Sequence, residues 1–151
     1  MDPHPFIVHF PIVCLILAAL FEWLSRSQRF DQLRHTGFAL LVIGALTTIP
    51  AAYTGEAASE TAASLPGISE ALERHEDLST FTLWSAILLA VARIHLTLKR
   101  RYEGLARTIH TVLLTGCAVL VVLSSYTGGR LVYEFGAGTS IAPTQSQDRE
   151  P

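Results

Sequence analysis

Phe6-Ile7-Val8-His9-Phe10-Pro11-Ile12-Val13-Cys14-Leu15-Ile16-Leu17-Ala18-Ala19-Leu20-Phe21-Glu22-Trp23-Leu24 decides the class of fold. A spanning helix needs roughly 20 mainly apolar residues, and this stretch supplies them. Three further stretches do the same: Gly37 to Thr54, Leu78 to Leu98 and Ala106 to Tyr126. The whole chain of 151 residues is 50% hydrophobic and 16% charged, with a mean hydropathy of +0.38. That composition fits one all-α membrane domain over residues 1–138, with four transmembrane helices in an up-down bundle. The polar end, residues 139–151, is expected to be disordered.

The first stretch begins after Asp2 instead of a basic segment and runs into Glu22-Trp23-Leu24-Ser25-Arg26 without a small-residue cleavage site, so it reads as a retained span. Basic residues set the orientation. Arg26, Arg29 and Arg34 follow the first span, and Lys99, Arg100, Arg101 and Arg107 surround the turn after the third. The positive-inside rule makes both turns cytoplasmic, and both termini and the acidic connection Gly55 to Asp77 periplasmic in a bacterial inner membrane. Basic residues in such places anchor topology, so a nucleic-acid partner is not expected. Within the acidic connection, residues 56–64 and 68–74 read as two short interfacial helices broken at Leu65-Pro66-Gly67.

The spans contain an internal echo. The second ends Tyr53-Thr54-Gly55 and the fourth Tyr126-Thr127-Gly128, and each hairpin starts near a histidine: His4 or His9 in the first, His75 in the second. His35-Thr36 and His110-Thr111 echo at the cytoplasmic turns, two residues out of register. A duplicated hairpin would place the first and third spans across a pseudo-two-fold axis along the membrane normal. Gly55 and Gly128 read as helix caps, while Gly37, Gly44 and Gly116 allow close helix approach, and Gly44 and Gly116 could equally leave room for a porphyrin face. Cys14 and Cys117 read as small packing residues, with no metal-ligand spacing. Arg130 to Gly138 reads as a strand or reentrant segment.

Four ordered motifs resemble a bacterial membrane-protein family catalogued as domain of unknown function 2231. They are His4-Pro5-x-x-Val8-His9-Phe10-Pro11, Thr54-Gly55, His75-Glu76, and Gly128-Gly129-x-Leu131-Val132-Tyr133-x-x-Gly136-x-Gly138. The resemblance runs from Pro3 to Gly138. It implies a four-helix inner-membrane protein met near cytochromes, copper proteins or Rieske-type partners, with a suspected b-type haem function. The family pattern often has histidine where this chain has Phe135, which leaves no ligand at that position.

Histidine is costly in a membrane and useful as a ligand. Axial ligation of haem b needs two neutral imidazoles on opposite faces of one iron. His9, about one turn into the first helix, and His75, just before the third, are the expected pair. His4, flanked by prolines, is the expected exposed neighbour, although it could replace His9. Glu76 could orient the His75 ring, and Tyr53 and Tyr126 could line the site or bond a propionate. A second haem near His95 and His110, with His35 at the foot of the second span and Arg93 beside them, competes with plain snorkelling at the interface. The function expected is a cytochrome b-like electron carrier exchanging electrons with a quinol or a periplasmic redox protein, an electron-transfer or accessory subunit in place of a stand-alone enzyme. The alternative is a cofactor-free membrane anchor or assembly subunit for a periplasmic redox partner. No nucleophile elbow or phosphate-cradling loop is present.

Overall fold

A computed structural model describes residues 3–139 of the chain. The chain opens with a short helix, α1 (His4–Ile7), followed by α2 (His9–Leu24). The break at Val8 follows from Pro11, which has no N–H for the carbonyl four residues earlier. A turn containing the 3₁₀ helix Gln28–Phe30 leads to α3 (Leu33–Ala62); α4 (Ser69–Leu98) and α5 (Gly104–Phe135) complete the chain. Neighbouring helices pack in the cyclic order α2, α3, α4, α5, which makes an up-down bundle with α2 and α4 on one diagonal.

Among the described residues, four helical spans are long and apolar enough to cross a membrane, with mean hydropathies from 1.6 to 2.2. Only 28% of each apolar window is buried within the protein, so lipid must cover the rest. At 1.5 Å per residue the 30-residue helices α3 and α4 are about 45 Å long, against a hydrocarbon core of about 30 Å. Several turns therefore project beyond the bilayer core.

Those projecting turns correct the expected boundaries. Gly55 and Gly128 lie inside α3 and α5 and cap nothing. The expected interfacial helices are the last turns of α3 and the first turns of α4. Arg130 to Phe135 is helix, held by a bidentate Arg130–Glu134 pair at i,i+4 with both bonds at 2.7 Å. The real cap is Gly136, whose φ of 72° is the left-handed conformation glycine adopts without strain. The polar end from residue 140 onward lies outside the described residues.

Two apolar clusters hold the bundle. The main one is built on Leu15, Leu41, Leu114, Cys117 and small residues such as Ala18 and Ala86. Gly44 lets Leu15 approach so closely that an added Cβ would stand 2.9 Å from Leu15 Cδ2. Gly116 has no such neighbour. Cys14 and Cys117 are free and buried, in packing positions. The second cluster, Ala62, Ile68, Leu72 and Leu131, closes the end of the bundle from which α1 starts.

The opposite end holds a buried charge network. Glu22, 2% exposed, receives Arg107 Nε at 3.0 Å and Arg93 Nη1 at 3.4 Å. Arg107 Nη2 also donates to Ser25 Oγ at 2.8 Å. The Arg93 guanidinium lies 3.2 Å from the centre of the Tyr102 ring and 5.4 Å from that of Phe38, which leaves its Nε without a hydrogen-bond partner. This network ties α2 to α4 across the diagonal and to α5 at the side. Removing one member of a buried ion pair costs about 3–5 kcal/mol because the other charge stays buried. Glu22→Ala should lower stability in lipid or detergent by that order, and Glu22→Met with Arg93→Met should recover part of the loss, because Arg107 loses the same carboxylate. A denaturation double-mutant cycle with additive losses would contradict the pairing.

Candidate functional site

Both histidines at the α1 end rest on the same three-residue device. His4 Nδ1 lies 3.1 Å from Thr54 Oγ1, and His75 Nδ1 lies 3.1 Å from Thr127 Oγ1. Each threonine is followed by a glycine under the imidazole: a Cβ on Gly55 would stand 2.9 Å from His4 Cε1, and a Cβ on Gly128 would stand 2.9 Å from His75 Cε1. Only glycine at these positions lets the ring approach the helix backbone.

The hydrogen bonds fix which ring nitrogen carries the proton. Thr54 Oγ1 donates to Pro50 O at 2.8 Å, and Thr127 Oγ1 donates to Ser124 O at 2.9 Å, as threonines in helices commonly do. With its one proton committed, each hydroxyl must accept, so the Nδ1–H groups of His4 and His75 donate. For His75 the carbonyl of Ser124, also 3.1 Å from Nδ1, requires the same tautomer because a carbonyl can only accept. In His75, Nε2 then carries the lone pair, which is the nitrogen a metal would take. Ser79 Oγ, bonded at 2.8 Å to Ser124 Oγ, stands 3.5 Å from His75 Nε2.

The pairing of His4 with His75 is repeated along the chain. Glu22 and Arg93 are 71 residues apart, the separation that also relates His4 to His75. His4 precedes Thr54 by 50 residues and His75 precedes Thr127 by 52, so the second hairpin is two residues longer. The extra pair falls between Glu22 and Gly37. Gly37 packs against Ala18 O, and in the second hairpin His110 Nε2 meets Leu89 O at 3.1 Å, again at equivalent places. In that register His110 matches Gly37 and His35 matches Thr108, so the His35–His110 echo is not part of the repeat, while the two hairpins form a pseudo-two-fold pair.

The exposure expected for His4 and His9 is reversed. His4 is half-buried on Thr54 and Gly55, whereas His9 is exposed and its Nδ1 donates to Pro5 O within its own chain turn at 2.6 Å. The prolines flanking His4 are compatible with the first turn of a helix, where the missing N–H has no helical partner anyway. Glu76 is exposed and influences His75 through space, while Thr127 and Ser124 hold the ring. Tyr53 and Tyr126, 77% and 67% exposed, stand on the outside of the bundle.

At the arginine end the structure does not gather the expected second set. His35 and His95 are exposed. His110 is buried and fully engaged: Nε2–H donates to Leu89 O, and Nδ1, 3.1 Å from Tyr102 Oη, accepts its proton. Arg93, expected beside a propionate, instead meets Glu22. Glu22 itself is the residue sequence reasoning missed; its separation from Arg93, equal to that of His4 from His75, was the available signal.

A membrane-embedded bundle of two like hairpins, each carrying a histidine on a threonine-glycine step, defines the class. The family described as predicted membrane protein (DUF2231) matches residues 2–141, and the chain belongs to it. No curated protein and no solved structure matches it.

The proton assignment is open to measurement. Nitrogen-15 NMR of histidine-labelled protein should show His75 protonated at Nδ1 and unprotonated at Nε2, with Gly128→Ala displacing the ring and shifting both resonances. The opposite tautomer in the unsubstituted protein would contradict the assignment.

Proposed function

We propose that this protein is a b-type haem electron carrier of the bacterial inner membrane, with His4 and His75 as the axial ligands. The observation that carries the reading is the matched pair of imidazoles, each seated by its Nδ1 on the threonine of a Thr-Gly step, one from each hairpin. Two imidazoles suit an iron whose four other ligands come with its own macrocycle. Among the described residues there is no group of three or more histidine, cysteine or acidic side chains for a bare metal ion.

When bound, the haem would supply reversible one-electron chemistry. The chain's part is orientation and environment. Thr54 and Thr127 fix the tautomer and resist ring rotation, and Gly55 and Gly128 set how deeply each ring sits. The cluster around Ile68 and Leu131 keeps water from that end of the bundle. Because one ligand comes from each hairpin, ligation would also join the two halves at the end opposite the Glu22 network.

The basic turns at Arg26 to Arg34 and Lys99 to Arg107 support an orientation with that network facing the cytoplasm and both termini facing the periplasm. The site would then exchange electrons near the periplasmic face, with a membrane donor or a periplasmic redox protein. A cofactor-free anchor is the rival reading.

Expression with ample haem followed by a reduced-minus-oxidised spectrum separates them. The sharp bands of a six-coordinate haem b are expected, lost in His4→Ala and in His75→Ala and retained in His9→Ala. Absence of haem bands, or their survival in both of the first two variants, would overturn the assignment.

A further inference from the structure

Beside the His75 clasp, a groove of about 410 Å³ opens on the α4–α5 seam. Its walls include Phe81 and Tyr126, and its polar end is formed by Arg74, Asp77, Thr127 and Arg130. Thr127 is shared: the same hydroxyl oxygen that accepts from His75 belongs to a residue lining the groove. One side chain therefore separates a groove occupant from the proposed ligand.

The pseudo-two-fold relation shows which parts the fold itself does not require. Phe81 and Tyr126 correspond to Phe10 and Tyr53 of the first hairpin, so aromatic walls are common to both. Arg74, Asp77 and Arg130 correspond to Pro3, Phe6 and Ala57. Arg74, Asp77 and Arg130 are thus additions to the second hairpin alone, while Thr127 has its counterpart in Thr54.

Charge and shape narrow the occupant. Arg130 is matched by Glu134 through two hydrogen bonds, and Arg74 has Asp77 within the same groove. Two cations against two carboxylates leave no net charge for an anionic lipid phosphate. Donors on Arg74 and Arg130 and acceptors on Asp77 and Thr127 complement a neutral head bearing hydroxyl or carbonyl oxygens. Exposed aromatic rings on both helices favour a planar ring between them. The volume lies in the range of small-molecule sites.

We infer that this groove binds the ring of a lipid-soluble quinol or quinone, whose apolar tail lies along the α4–α5 seam in the bilayer. The inference rests on the electron-carrier reading for its purpose and names the membrane donor or acceptor of that same site. Binding itself needs no haem.

The test is a titration of the purified chain in nanodiscs of zwitterionic lipid with decylubiquinone, read by quenching of tryptophan fluorescence; Trp84 lies one turn from Phe81 on α4. Saturable quenching is expected, about tenfold weaker in Arg74→Leu and in Asp77→Leu and unchanged in Phe10→Ala at the equivalent place on the first hairpin. Quenching that only rises linearly with partitioning, or equal affinity in all variants, would overturn the proposal. So would displacement of the quinone by added phosphatidylglycerol, which would make the groove a lipid site. Running the titration on haem-loaded and haem-free protein separates the two ideas. Quinone binding by a chain that never takes haem would sink the carrier reading alone, and a haem-loaded chain without saturable binding would sink the groove alone.

Discussion

A threonine hydroxyl that has already given its proton to its own helix can only accept, and this constraint organises one whole end of the molecule. It makes each imidazole donate from Nδ1, and in His75, where a carbonyl accepts as well, it decides the tautomer. The glycine after each threonine lets the ring come close enough for that bond to form. The bond joins α1 to α3 in one hairpin and α4 to α5 in the other. The imidazole is therefore not free to rotate, and the fold sets the orientation of the ring.

The other end is organised by a different constraint. A carboxylate and a guanidinium occupy equivalent positions of the two hairpins, Glu22 and Arg93, so the halves attract where identical residues would repel. Arg107 adds a second cation to the same carboxylate and reaches Ser25. The bundle is thus near-symmetric where the histidines sit and complementary in charge where the basic turns lie. That difference lets two similar hairpins pair with each other in one arrangement. The polar end of the α4–α5 groove is a third departure from symmetry, and it falls next to His75.

Much of the fold was legible because apolar length is a strong signal in a membrane protein. The four spans and their up-down order follow from it directly. Their ends were not legible, since Tyr53-Thr54-Gly55 looks like a helix terminus when glycine is read for its backbone. Here Gly55 and Gly128 serve side-chain approach inside continuous helices, a role that depends on partners distant in sequence. The segment after Gly129 looked extended for its Leu-Val-Tyr run, but Arg130 and Glu134 are spaced for a helix. At the α1 end, His75 and the paired Thr-Gly steps were visible, while which of His4 and His9 packs on Thr54 and Gly55 depends on the break at Val8 that turns the two rings to different sides. A lone acid near the end of an apolar run does not announce its partner on another helix.

Electron paramagnetic resonance of the oxidised, haem-loaded protein tests the central claim most directly, because it counts the nitrogens on the iron. The account predicts a low-spin ferric signal with hyperfine couplings from two histidine imidazoles, both altered by nitrogen-15 histidine labelling. A high-spin signal, or couplings from a single imidazole, would contradict it.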